Sequence, residues 1–488
     1  MSVVPMRDNG SVTSSVAASS LVAMLGGASR RPAGLADGLR TLVVDGRLAV
    51  RTRVPSERAL AVELRISRGS VSRAYDRLRE EGYLASRRGA GSWLTLPGGA
   101  GPGPLPLPAP GALDSERVLD LTVAALPAPV PLLGEAADRA AQALRRHLHA
   151  HGYSPLGLPE LRAAVAARFT ARGLPTGSDE VLVTSGAQHA LHLVLSLLTA
   201  PGDRVVVDAP AYPRTLSALR TARVRGVGVP LTAAGWDVEA WSAALGAASP
   251  RVGLTAPDYH NPTGLTMSPA ARAALGEACA RTGTVLVADE TCTEMRLDGP
   301  AVPAPLAAHA PDATVITIGT MSKAAWGGVR VGWLRAAPRL IVELAARRAD
   351  VDMASPVLDQ LLAVELLARW DDVLASRRTL VRPRRDALLR ALAAHAPDWR
   401  VRRPAGGLSA WVRLSAPSAT RLAALAATEG VHVTPGPSFS VDGTFEQHVR
   451  LPYTLAPEEL EEAVARLAAI AERVGDDRGA ELRAAAPA

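Results

Sequence analysis

Lysine is all but missing from this 488-residue chain: of its 54 basic residues 53 are arginine, and one, Lys323, is lysine. Cysteine is nearly as scarce. Cys279 and Cys292 stand thirteen positions apart, which builds neither a disulfide framework nor a metal-ligand motif, so a reduced chain without a metal site is expected. Aromatic residues make up 3%, and the core therefore has to be built from Ala, Leu and Val. Apolar runs such as residues 191–199 fall far short of the roughly 20 residues that span a bilayer. The first residues lack the charged segment, apolar run and cleavage site of a secretion signal. These absences exclude a disulfide scaffold and membrane-spanning helices, and the expected location is the cytoplasm.

What is present is enough for more than one domain, with 48% hydrophobic residues and 21% charged. Arginine and lysine serve equally as solvated charges, but only lysine can deprotonate to a nucleophile and form an imine. The lone lysine is thus a question of context, with chance survival in an arginine-biased chain as the plain alternative.

The net charge of +7 is localised. Residues 30–92 hold 14 arginines against 7 acids, while residues 93–488 hold 39 basic and 39 acidic residues. A cationic segment beside a neutral remainder is the electrostatic footprint of a nucleic-acid-binding module. Residues 97–117, beginning PGGAGPGPLPLPAPG, are dominated by Pro, Gly, Ala and Leu and read as a linker. The expected organisation is an arm at 1–29 that is a candidate for disorder, a basic module at 30–96, the linker, a body at 118–475 and a tail at 476–488.

Within the module, Leu35 to Val44 has helical spacing and ends at Asp45-Gly46. A second helix follows Ser56, with Leu60, Ala61 and Leu64 on one face, and after a short turn a third carries Val71, Ala74, Tyr75 and Leu78. Two short helices about a tight turn form a helix-turn-helix, and residues 83–94 alternate as a β-hairpin wing. Arg68, Ser70, Ser72 and Arg73, at the start of the third helix, are placed for base edges or flanking phosphates; Arg53, Ser56, Arg58, Arg87 and Arg88 are placed mostly for phosphates. Residues 54–94, VPSERALAVELRISRGSVSRAYDRLREEGYLASRRGAGSWL, closely resemble the winged helix-turn-helix (α+β) of GntR-type transcription regulators. Arg51 stands where that family usually has Gly. The resemblance implies binding to double-stranded promoter DNA.

From residue 118 helical stretches alternate with short strands at Val181 to Thr184, Val205 to Asp208, Arg251 to Ala256, Val285 to Ala288 and Thr314 to Gly319. That alternation predicts an α/β body with a mostly parallel sheet, whose ligands sit beyond the carboxyl ends of the strands. The polar motifs fall there. Ser185, Gly186 and Ala187 open a helix whose free N–H groups suit a phosphate; Asn261 lies in HNPTG; Asp289 ends a strand; Thr320, Ser322, Lys323 and Arg330 follow the last one. An amine, an acid, an amide and phosphate ligands are the parts that hold pyridoxal phosphate. In that reading Lys323 forms the aldimine, Asp289 pairs with the ring nitrogen, Asn261 hydrogen-bonds the phenolic oxygen and Tyr212 stacks on the ring. Ser185, Gly186, Ala187, Thr320, Ser322 and Arg330 surround the phosphate.

These strings, with YSPLGLPELR at 153–162, PGDRVVVDAPAY at 201–212, SKAAWGGVRVGW at 322–333 and Arg450-Leu451, resemble the class I aminotransferases of fold type I. The resemblance covers nearly all of 118–475. It implies that Tyr153 contacts the phosphate of a partner subunit in a homodimer and that Arg450, with Arg214 nearby, takes the carboxylate of an amino-acid ligand. A winged helix-turn-helix joined to this fold is similar to the MocR-type regulators. One departure stands out: Thr291 or Cys292 occupies the place where the family commonly has a tyrosine on the phenolic oxygen. Its absence should weaken transamination while leaving attachment intact, which favours a sensor. The leading expectation is a regulator whose effector is pyridoxal phosphate or its aldimine with an amino compound. A working aminotransferase with an accessory DNA-binding module, and a regulator with a degenerate, cofactor-free body, remain open at this point.

Overall fold

Capping decides where the helices of the N-terminal module begin. In the computed structural model, which describes residues 14–25, 32–44, 47–48, 50, 52–87, 91–95 and 118–484, Ser56 accepts a hydrogen bond from the Ala59 N–H at 3.2 Å and starts the helix Glu57–Leu64. Ser67 accepts one from Ser70 N–H at 3.1 Å and starts Arg68–Glu80. Arg65, in the left-handed region at φ 54°, makes the turn between them. Leu60, Leu64, Val71, Tyr75 and Leu78 close a core with Leu35, Leu39 and Leu42 of the helix Pro32–Val44, and the Tyr75 hydroxyl donates to Pro55 O at 2.9 Å. The hairpin Leu84–Arg87 and Gly91–Leu94 pairs Leu84 with Leu94 and Arg87 with Gly91. Thr52–Arg53 and Ser14–Ser15 extend it to four strands. Within the stretch expected to be an arm, residues 14–25 contribute that edge strand and a helix, Ala18–Leu25, whose Leu21 is fully buried.

The body centres on an eight-stranded sheet in the order Val181–Thr184, Gly332–Arg335, Val315–Thr320, Val285–Asp289, Val252–Thr255, Arg204–Ala209, Arg225–Thr232, Gly235–Trp236. Gly332–Arg335 and Gly235–Trp236 run against the other six. The five expected strands are all present. The inner strands Val252–Thr255 and Val315–Thr320 are buried along their whole length.

A second sheet of five strands, in the order Arg400–Val401, Ser409–Arg413, His448–Pro452, Val431–Pro435, Leu119–Leu121, brings the first residues of the body beside its last third. The largest apolar cluster runs from this sheet to the helices Val130–Leu144, Pro159–Ala171 and Trp370–His395. Among the described residues no helix is long and apolar enough to cross a membrane.

Candidate cofactor site and nucleic-acid interface

The six co-directional strands deliver their carboxyl ends to one edge of the sheet, and a 240 Å³ cavity opens there. Of the expected residues Ala187, Tyr212, Asn261, Asp289, Thr320, Ser322, Lys323 and Arg330 line it. Asp289 ends its strand and accepts from the Thr291 N–H at 3.1 Å. Burial pushes its carboxyl up, against the pull of that hydrogen bond and of Lys323. The Asn261 Oδ1 is buried without a hydrogen-bond partner among the described residues. An acid whose charge lacks solvent and an amide oxygen without a donor are both satisfied by a ring that presents a cationic N–H on one side and a hydroxyl able to donate on the other.

Lys323 Nζ donates to Ala124 O at 3.0 Å, reaching from the large sheet to the strand-end region of the small one. Burial raises the Cys292 thiol while nearby Lys323 pulls it down. The Thr291 N–H turns back to Asp289, and both Thr291 and Cys292 line the cavity, so a hydroxyl or a thiol stands where the resemblance implied a phenol.

The cradle at the start of the helix Ala187–Leu198 needs its glycines. Gly186 has φ 94°, and a Cβ on Gly332 would come within 2.7 Å of the Gly186 carbonyl carbon. Arg330, itself at φ 52°, donates from Nη2 to Ser185 O at 2.8 Å. Thr320 donates to Val331 O at 3.1 Å, and Ser322 N–H donates to Thr320 Oγ1 at 3.2 Å. Ser185 differs from the rest: its hydroxyl donates to Asp352 Oδ2 at 3.1 Å, and Asp352 is gripped by the buried Arg348 at 2.7 Å. Tyr153 is 58% exposed and outside the cavity.

A neighbouring cavity of 110 Å³ shares Tyr212 and Lys323 and is walled by Arg214 and Arg450. The buried Arg450 donates to Thr122 O and, at 3.3 Å, to Thr434 Oγ1, while its Nε lacks a partner among the described residues. Burial pushes its guanidinium down to about 10, so it stays charged at neutral pH and is held by neutral oxygens with capacity left for an anion.

Two further residues, Asp208 and His260, stand inside the strings DAPAY and HNPTG, where no local pattern singles them out. Asp208 accepts from Trp236 Nε1 at 2.9 Å, Thr255 Oγ1 at 2.8 Å and Ala256 N–H at 3.0 Å, and His260 Nε2 lies 3.6 Å away. Burial pushes the acid up and the imidazole down. The cluster props the loop that carries Asn261. Glu290, next to Asp289, is spent on Arg172 at 2.9 Å and Leu306 N–H at 2.9 Å.

On the N-terminal module the side chains of Arg53, Arg58, Arg68, Arg73 and Arg87 are exposed. Ser70 bonds the Ser67 hydroxyl at 2.9 Å, Ser72 is half-buried, and Ser56 spends its oxygen on the helix cap. Among the described residues Arg68, with a side chain 75% exposed, reaches only Glu57, at 3.4 Å, a pair too solvated to hold it against a phosphate or base. Arg88 and Arg51 lie outside the described residues.

The family model described as aminotransferase class I and II matches residues 118–467, and the one described as bacterial regulatory proteins, gntR family, matches residues 33–93. The chain belongs to the aminotransferase class I and II family and carries a gntR-family DNA-binding domain. It is similar to the HTH-type pyridoxine biosynthesis transcriptional regulator PdxR of Corynebacterium glutamicum, 30% identical over 83% of this chain and 87% of the relative. It is also similar to a probable rhizopine catabolism regulatory protein, MocR, of Rhizobium meliloti, 29% identical over 63% of this chain and 65% of that one. The crystal structure of LysN, an alpha-aminoadipate aminotransferase from Thermus thermophilus complexed with N-(5'-phosphopyridoxyl)-L-leucine, superposes with TM-score 0.66 and 32% identity over 73% of this chain and 92% of that one. The body therefore has the fold of the type I pyridoxal phosphate enzymes, and the whole is a MocR-type regulator that binds pyridoxal phosphate and DNA.

Proposed function

We propose that this regulator reports to its operator whether the 240 Å³ cavity holds pyridoxal phosphate alone or has met a carboxylate-bearing amine. The bound cofactor supplies an aldehyde carbon open to attack by a primary amine and a ring that draws electrons from that carbon. Lys323 attaches it, since no other side chain in the sequence is a primary amine. Asp289 keeps a proton on the ring nitrogen, which offsets the cost of burying its own charge. The Asn261 amide takes the phenolic oxygen and Tyr212 covers the ring. The phosphate lies at the helix start on the main-chain N–H groups of Gly186 and Ala187, with Thr320, Ser322 and Arg330 closing around it, since the Ser185 hydroxyl and N–H already serve Asp352 and His189. Tyr153, exposed on one protomer, reaches the phosphate of its partner, so the working unit is a homodimer in the cytoplasm with paired DNA-binding modules. Arg450, with Arg214, orients the carboxylate of the incoming amine.

The observation that carries this reading is the meeting of the sole lysine, the buried Asp289 and the unpartnered Asn261 in one cavity. Promoter footprinting with and without pyridoxal phosphate and amino compounds tests it. Protection should change with the cofactor state. Identical protection under every condition contradicts the proposal.

A further inference from the structure

The chain holds three phenylalanines, and two of them, Phe439 and Phe445, lie in one loop between the strands Val431–Pro435 and His448–Pro452. In so aromatic-poor a sequence their neighbours are equally telling. Trp411 meets Phe439 edge-on at 5.3 Å and Phe445 edge-on at 6.0 Å, and it stacks on His448 at 5.0 Å with the planes 7° apart. This cluster touches the carboxylate site at one end: the Arg450 guanidinium lies over the Phe439 ring at 5.6 Å, and Phe439 O accepts from Ala211 N–H, beside Tyr212, at 2.8 Å. Trp411 is also the residue directly opposite Arg450 across the small sheet.

At its other end the loop meets the DNA-binding module. The Phe445 main-chain N–H donates to Val44 O at 2.8 Å. Val44 ends the helix Pro32–Val44, whose Leu35, Leu39 and Leu42 pack in the same core as Val71, Tyr75 and Leu78 of the helix Arg68–Glu80. The loop is held closely in place. Val441 sits over Gly226 and Gly228, where a Cβ would come within 2.7 Å and 3.2 Å of it. Phe445 holds φ 75°, a left-handed conformation that a bulky residue keeps only when its surroundings impose it.

We infer that residues 436–448 are the coupling element, with Phe439, Trp411 and Phe445 transmitting the state of Arg450 to the helix that supports the DNA-reading helix. The inference rests on Arg450 as the carboxylate arm. To take a carboxylate with both arms of its fork, Arg450 has to re-aim the Nη2 that now serves Thr122 O and Thr434 Oγ1. The ring beneath it is fully packed, and packed rings shift between discrete arrangements instead of deforming smoothly. The end of that chain of contacts is a main-chain hydrogen bond onto Val44. Phe439, Trp411 and Phe445 are positioning residues in this scheme.

Hydrogen exchange on the full-length protein loaded with pyridoxal phosphate, with and without succinate as the carboxylate probe, tests it. In the wild type succinate should change exchange in peptides from both 436–448 and 34–44. In Phe445→Ala the first change should persist and the second should be lost; if that variant melts early, Trp411→Leu is read the same way. A module response that survives in the folded variant overturns the inference, as does a wild type in which 34–44 never responds. Failure of the cofactor reading itself shows elsewhere, as footprints indifferent to pyridoxal phosphate in the absence of any carboxylate.

Discussion

Arg450 lies over Phe439 with its guanidinium carbon 5.6 Å from the ring centroid, and both side chains are withdrawn from water. The cation hydrogen-bonds two neutral oxygens and lies on a ring face, with the Asp120 carboxylate acting on it through space and its Nε without a hydrogen-bond partner among the described residues. A buried charge held this loosely costs stability and is explained by an anion that visits. Arg450→Met should therefore leave the melting temperature unchanged or raise it, while the optical response of the loaded protein to carboxylate-bearing amines disappears. Thermal melts and amine titrations followed by absorbance check the two halves separately.

Gly332 leaves no room for a side chain, because a Cβ there would lie within 2.9 Å of main-chain atoms of Gly186 and Ala187 at the cradle. Backbone cannot swing aside as a side chain can. Gly332→Ala should weaken pyridoxal phosphate binding at least tenfold, equivalent to about 1.4 kcal/mol or more, with operator affinity of the cofactor-free protein unaltered. Equilibrium binding of the cofactor measures the first and a gel-shift titration the second.

At the DNA surface, Arg68 sits exposed at the start of the helix Arg68–Glu80 and is restrained, among the described residues, only by Glu57. If it reads a base, Arg68→Ala costs about 1–3 kcal/mol of operator binding and relaxes specificity at one position. If it contacts phosphate, the loss is uniform across sequences and the salt dependence of binding falls by about one unit of slope. Affinity measured at several salt concentrations on operator and scrambled DNA separates these outcomes.

His448, stacked on Trp411, is pushed down to about 3 by burial and by Arg413. A base with a lowered folded-state value contributes stability above its unfolded value, near 6.5, and loses it as pH falls toward 3. The loss therefore falls between pH 6.5 and 3. His448→Phe keeps the stacking and removes the buried Nδ1 that lacks a partner among the described residues; its melting temperature should fall less steeply than the wild type's between pH 6.5 and 5. Parallel curves would assign the acid sensitivity to another group.

Local pattern carries much of this structure in the sequence. The strands Val285–Asp289 and Val315–Thr320 are short apolar runs ending in polar residues, and both are legible with their functional ends. Ser56 and Ser67 announce their helices by capping. What escapes depends on partners far along the chain. The strand Arg225–Thr232 carries Gly226 and Gly228, which weaken any strand signal and make sense only once Val441 is seen above them. Gly332–Arg335 hides inside a motif that points to phosphate ligands, yet it runs antiparallel between two strands of the main sheet. Ser185 has the place of a phosphate ligand before its helix; only the fold shows its hydroxyl tied to Asp352. The Phe445–Val44 hydrogen bond joins the body to the first module across most of the chain's length, beyond any local pattern.

The scarcity of lysine makes attachment of the cofactor at Lys323 unusually direct to measure. Borohydride reduction of the pyridoxal-phosphate-loaded protein, followed by peptide mass mapping, has one side-chain amine to find, Lys323, besides the chain's α-amine. The expected result is a phosphopyridoxyl group on the Lys323 peptide, an absorption band lost on reduction, and neither in a folded Lys323→Arg protein. A wild-type protein without the adduct at Lys323, or a Lys323→Arg protein that keeps the band, would contradict it.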